Sequence, residues 1–310
     1  MNKKAHIAGI LFSLIFGFSF MFSKVALDYV SPMGVIAYRF LIAFIIFEVL
    51  RLTKVIKIRF DKKFLLPLFL VAFFQPILYF IFETYGLDKI NSSEAGMMIA
   101  LIPIFVTILS SFILNERPKK AQILFILLSF SGILLIQVFK PNDNTGSTFF
   151  GFVLLFFAVI SAALFNIASR SASKKLKPYE LTYFMMLAGA VVFNLIYLFQ
   201  LLINNDLGAF IGSINHPEFI AAILYLGIVA SIGGFFLVNY ALSKLPAHVS
   251  SIYANLSTIV AVIAGYIFLN ETIYWYHIVG AVMIVLGVYG TARVNFRNQV
   301  IKGDKKWLAL

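Results

Sequence analysis

The sequence predicts an all-α integral membrane protein: ten transmembrane helices arranged as two inverted five-helix repeats. Composition gives the first reason. The chain is 61% hydrophobic and 12% charged, whereas a soluble domain is about one quarter charged. Patterning gives the second, because the apolar residues gather into runs long enough to cross a bilayer, which takes about 20 residues. The third is internal repetition. Residues 85–116 return, without a gap, as residues 240–271. Repeats of this kind define the architecture and come before any other feature.

At an offset of 155 positions, Tyr85 falls on Tyr240, Leu87 on Leu242 and Lys89 on Lys244. Leu101, Ile104 and Ile108 fall on Leu256, Ile259 and Ile263, and Leu114-Asn115-Glu116 falls on Leu269-Asn270-Glu271. Apolar matches count for little in chains this greasy. The shared Lys and the shared Leu-Asn-Glu carry the argument, and the frame still holds at Gly132 and Gly287. A weaker echo at 146 places Ser23 on Ser169, Lys24 on Arg170 and Pro32 on Pro178. The two repeats fall at residues 6–139 and 149–294, joined by a short polar, turn-forming stretch from Lys140 to Thr148.

Ten spans are placed at about 6–27, 32–50, 64–86, 92–114, 119–139, 149–169, 179–202, 218–242, 247–269 and 273–293. With these, nearly all of the 25 Lys and Arg lie on the side of the amino terminus. The exceptions are Lys89 and Lys140 on the other side, and Lys24 and Arg39 inside spans. Basic loops stay in the cytoplasm, so both termini are expected there, in a multi-pass protein of the plasma (inner) membrane. The net charge of +12 is thereby a topology signal, and nucleic acid is not an expected partner. Five spans per copy is an odd number, so the second copy enters the membrane from the opposite side. Lys89 outside and its copy Lys244 inside agree with that. Inverted repeats recur in transporters, with the substrate site between the halves.

In chain order, Lys3 and Lys4 before an apolar run give the first span a signal-peptide look. The run is too long for a signal sequence and lacks a clear small-residue cleavage site, so a retained helix is expected. Gly9, Ser13 and Gly17 make a small-residue ridge for close helix packing, as do Ala158 with Ala162 and Gly227 with Ser231. Gly280, Gly287 and Gly290 do the same for the last span. Glu48 pairs locally with Arg51. Asn91 and Glu94 cap the fourth span. Glu116 and Glu271 sit at helix junctions, and Glu180 and Glu218 sit in first turns, where negative charge suits the helix dipole.

Several motifs then stand together in order: Phe16-Gly17-Phe18-Ser19-Phe20 leading to Lys24, Arg39-Phe40, Ser93-Glu94-Ala95 running to Pro103, and an Asn-Glu before spans five and ten. In this order the chain resembles the EamA-type transporters of the drug/metabolite transporter superfamily, over nearly its whole length, as two tandem units. The resemblance implies ten helices, cytoplasmic termini, a central cavity, and secondary transport of small metabolites, often amino-acid export. Two positions depart from the repeat: Arg39 becomes Met185 and Pro103 becomes Thr258 in the second copy.

Ionisable side chains within a span are costly and suggest function. Lys24 and Glu83 lie about 5 Å, and Arg39 about 10 Å, from an outer helix end, close enough in depth for one charge cluster. Snorkelling to the interface is the structural alternative for Lys24, and a purely structural ion pair is the alternative for Arg39 with Glu83. Gln75, Tyr79 and Glu83 are four apart and share a helix face, beside Pro76, which interrupts the ladder. Their counterparts Ala230, Gly234 and Val238 are apolar. That asymmetry points to a polar cavity stripe, with Glu83 recognising a cationic group or accepting a proton. Tyr38, Asn166, Asn194 and Asn255 are secondary candidates, with interhelical hydrogen bonding as their structural reading.

The expected partners are a small-molecule substrate, with protons as a coupling ion, and the lipid bilayer. The chain has no Cys and hence no thiolate chemistry. The hydrolase, zinc-protease and P-loop motifs are missing as well, so the sequence calls for no cofactor, metal or catalytic residue. A membrane-embedded enzyme and an uptake permease for a small organic solute remain the alternatives.

Overall fold

The computed structural model describes residues 3–58, 61–90, 95, 98–99, 101–139, 149–204, 215–268 and 273–307. Among these the chain is helical, with no strand. The elements are α1 (Lys3–Leu27), α2 (Pro32–Leu52), α3 (Leu65–Ala72), α4 (Tyr79–Lys89), α5 (Ile102–Ile113), α6 (Lys120–Phe139) and α7 (Phe149–Ala172). They continue with α8 (Pro178–Ile203), α9 (Pro217–Leu224), α10 (Phe235–Lys244), α11 (Ala247–Ser251), α12 (Asn255–Phe268) and α13 (Trp275–Trp307).

Among the described residues, eight continuous helical stretches are long and apolar enough to cross a membrane, and Ile102–Ile113 and Lys120–Gly132 are shorter apolar helices. The protein is a multi-pass, all-helical membrane protein. The predicted fourth span is described only in part. The expected caps Asn91 and Glu94, the join from Lys140 to Thr148, and the repeated Asn270 and Glu271 lie outside the described residues.

The starts of these helices follow from local chemistry. At α2, Pro32 occupies the first turn, where its missing N–H costs nothing, and the Ser31 side chain accepts from the Gly34 N–H at 3.3 Å. At α8, Pro178 stands in the first turn and the Lys177 N–H donates to the Glu180 carboxylate at 2.8 Å. The first-turn reading of Glu180 is therefore a real cap.

Two of the spanning stretches are interrupted. Between α3 and α4 the residues Phe73–Leu78 form a π-helical turn, inside which Gln75 is extended (φ −152°, ψ 115°), next to a cis peptide bond to Pro76. Between α9 and α10 a second π-helical segment runs over Tyr225–Gly234. Moving residues 73–78 by 155 gives 228–233, inside that second segment. Such local widenings of an α-helix often mark functional places.

The most extensive helix contacts cross from residues before 140 to residues after 148. Helix α6 lies along α13, and α2 along α8. Helix α4 packs on α7, and α1 packs on α10 and α12. The ridge on α1 permits this. A Cβ on Gly9 would fall 2.6 Å from the Tyr253 ring, and one on Gly17 would fall 2.4 Å from Val260. Between them Ser13 donates to the Tyr253 carbonyl at 2.5 Å.

The aromatic load divides between two environments. Phe40, Phe165, Phe193, Phe219 and Phe235 are fully buried, whereas Phe112, Phe149 and Phe199 lie on the exterior, where an apolar side chain meets lipid at no cost.

Candidate functional site

A central, partly open cavity is lined by segments from both sides of the 140–148 join. Helix α1 contributes Phe12, Phe16, Ser19 and Phe20. Helix α7 contributes Ala162, Phe165 and Asn166, α10 contributes Phe235 and Val238, and residues 251–257 contribute Ser251, Ala254 and Ser257. The charged part comes from α2 and from the interrupted helix after it: Arg39, Gln75, Tyr79, Phe80 and Glu83.

The polar stripe read from the four-residue spacing thus faces one space. The interruption at Gln75 leaves its side chain on the cavity wall, one turn below Tyr79 and two below Glu83. All are nearly out of contact with the exterior, Glu83 being 5% and Arg39 4% exposed. Glu83 accepts from the Thr84 hydroxyl at 3.0 Å. Arg39 donates through Nε to Ser231 Oγ at 2.7 Å, and its guanidinium carbon stands 4.4 Å from the centre of the Phe80 ring.

The direct Arg39–Glu83 ion pair expected from the sequence is not among the ion pairs of the described residues. The two charges sit within electrostatic range in the same cavity without touching. Ser231 and Phe80 occupy the guanidinium instead.

The three-charge cluster also resolves differently. Lys24 is half-buried away from the cavity and donates to the Leu87 carbonyl at the end of α4, at 2.6 Å. Its counterpart in the weaker repeat, Arg170, makes the same kind of bond: Nη1 donates to the Leu242 carbonyl at 2.9 Å. Leu87 and Leu242 are themselves 155 apart. Arg170 also pairs with Glu116 at 2.8 Å, and the second Glu116 oxygen accepts from the Ala247 N–H at 2.8 Å.

Of the secondary candidates, Asn166 lines the cavity and bonds its own helix at the Ala162 carbonyl, 2.8 Å away. Tyr38 packs instead between Tyr197 and Phe219, with ring centres 6.1 Å and 5.3 Å away. Asn255 is buried off the cavity and donates to Ser129 at 2.9 Å, joining α12 to α6. Asn194 joins α8 to α2 through the Ala37 carbonyl at 3.1 Å. Glu48 and Arg51 form the local pair read from their spacing, and the Tyr183 hydroxyl adds a bond to Glu48 at 3.1 Å.

Ser231, Phe80 and Thr84 were missed as partners of the charged residues. Ser231 carried a signal: it belongs to the Gly227–Ser231 pair, whose spacing reads as helix packing. Among the described residues no cluster of His, Cys, Asp and Glu could hold a metal ion.

The sequence of the EamA-like transporter family matches this chain twice, over residues 3–138 and 149–293. The chain belongs to the EamA-like transporter family. Among its EamA relatives, the uncharacterized transporter YcxC of Bacillus subtilis (strain 168) is 39% identical over 287 residues, covering 93% of this chain and 92% of that protein. The probable terminal-alkyne amino-acid exporter of Streptantibioticus cattleyicolor is 25% identical over 220 residues, covering 71% of this chain and 69% of its own. A crystal structure with 15% sequence identity superposes with a TM-score of 0.75, over 96% of this chain and 99% of the other. At that identity the likeness concerns the EamA fold.

Proposed function

We propose that this EamA protein is a secondary transporter that exports amino acids or closely related small metabolites by alternating access between two inverted five-helix units, residues 6–139 and 149–294. The observation that carries the reading is the central cavity: both units line it, and it holds two buried, opposite, unjoined charges. A structural ion pair would have closed on itself. Buried charges are expensive in a membrane interior and mark substrate or ion pathways.

The pattern of helix contacts supports the two-unit reading. Several contacts between elements of the two units have counterparts with the units exchanged: α1 on α10 is matched by α7 on α4, and α1 on α12 by α7 on α5. The two π-helical segments, at positions related by the repeat, support it again. Glu83 then receives an ammonium group or a proton, with Thr84, Tyr79 and Arg39 as its nearest polar neighbours, and both termini lie in the cytoplasm.

Flux into proteoliposomes, measured with a panel of amino acids and amines, tests the transport reading. Zero flux throughout together with a turnover activity would remove it. Unchanged transport and unchanged pH dependence in Glu83→Gln would remove the role of Glu83. Cysteine labelling of positions 89 and 244 from each side of the membrane tests the inversion, which requires opposite sides.

A further inference from the structure

Arg39 is buried, and no carboxylate touches its guanidinium among the ion pairs of the described residues. Its Nε is committed to Ser231 Oγ at 2.7 Å. One face of the guanidinium is covered by the Phe80 ring, at 4.4 Å, and Phe80 is itself held edge-on by Phe40 at 5.0 Å. The two terminal nitrogens have no hydrogen-bond or ion-pair partner among the described residues, and Arg39 lines the cavity. The guanidinium is thus fixed at its base and on one face, while its donor pair is left to the cavity.

From this arrangement we infer that Arg39 is the receptor for a substrate carboxylate, with Ser231 as the positioning residue that aims it. The inference rests on the transport reading and narrows it to carboxylate-bearing cargo. Three physical arguments lead there. A planar guanidinium presents two parallel N–H groups that match the two oxygens of a carboxylate, and such bidentate pairs are the strong ones. A buried cation touched only by a hydroxyl and a ring, with Glu83 in range but not in contact, is incompletely compensated, so an anion brought by the cargo gains more here than at a surface. Arg39 is the sole Lys or Arg among the described lining residues, and Glu83 shares the cavity. One positive charge beside a negative one favours a monoanion and opposes a doubly charged phosphate.

Ser231 adds a consequence of its own. It sits in the π-helical segment Tyr225–Gly234, whereas Arg39 sits on α2. The receptor is therefore assembled from both sides of the join, and the donor pair is aimed only while α2 and that segment stay together.

The test uses the purified full-length chain in nanodiscs, with empty discs as blank, and isothermal titration. The probes are L-phenylalanine, 3-phenylpropionate and L-phenylalaninamide, together with L-leucine, 4-methylpentanoate and L-leucinamide. Acids are expected to bind at least about tenfold more tightly than the amides of the same skeleton. Arg39→Gln is expected to erase that preference. Ser231→Ala, which keeps the arginine and so guards against a folding defect, is expected to weaken acids by about tenfold and leave the amides unchanged.

The inference is overturned by amides binding as tightly as acids, by no acid binding at all, or by Ser231→Ala weakening both classes equally. The amino-acid reading fails separately. Binding of 3-phenylpropionate or 4-methylpentanoate through Arg39, without binding of either amino acid, would keep the receptor and discard the amino-acid cargo. Amino acids bound no better than their amides would do the reverse.

Discussion

The interrupted helix of residues 65–89 and its counterpart at residues 217–244 share a backbone device and divide the work. Both widen into a π-helical segment at positions related by the 155-residue offset. The first puts Gln75, Tyr79 and Glu83 on the cavity wall. The second has Ala230, Gly234 and Val238 at those positions and supplies room and aim. A Cβ on Gly234 would fall 2.6 Å from the Phe16 ring, and one on Gly227 would fall 3.1 Å from the Arg39 carbonyl. Ser231, at the position of Pro76, takes the Arg39 Nε. On the proposed two-unit reading, duplication conserves a packing solution while leaving one copy free to carry charge, because a ligand needs each polar contact once.

The largest effect that would break this division comes from Glu83→Gln. It keeps the shape and removes the charge, and transport is expected to fall about 10- to 100-fold, the worth of a charged hydrogen bond. The check is initial flux, with the melting temperature held as a control. Next comes the second helix. Gly234→Ala pushes a methyl group into the Phe16 ring and is expected to lower stability by about 1–3 kcal/mol, read as a drop in detergent melting temperature.

Tyr79→Phe deletes one hydroxyl from the stripe and is expected to change apparent substrate affinity by about 2- to 10-fold. The smallest effect belongs to Val238→Leu, a change of shape on the cavity wall. Flux within about twofold of wild type is expected, since modest apolar swaps are tolerated. A loss as large as that of Glu83→Gln would mean that the second helix contributes more than shape.

The all-helical, multi-pass character of the fold was legible because hydrophobicity acts over whole spans. Runs of apolar residues become helices whatever their partners, and the small residues of α1 pack where their spacing indicated. The polar stripe was legible in part for a similar reason: Tyr79 and Glu83 lie on one helix, so their shared face follows from periodicity, whereas Gln75 reaches the same wall from the break before them. Partnership across helices was not. Nothing in one dimension distinguishes Glu83 from Ser231 as the mate of Arg39, which is 192 positions from Ser231. Lys24 misled for the same reason. Its depth suits a cluster with Arg39, but its direction around α1 takes it to Leu87. Asn255 has the depth of a cavity residue and the azimuth of a helix tie to Ser129.

Glu116 gathers Arg170 and the Ala247 N–H at one rim of the molecule, in a pair whose side chains are 18–19% exposed. Arg39 is held almost wholly out of solvent. Water can stand in for the partners of the first group at small cost and has little access to the second. Separating the rim therefore resembles undoing a wet knot, while the grip on the buried guanidinium changes only when helices move.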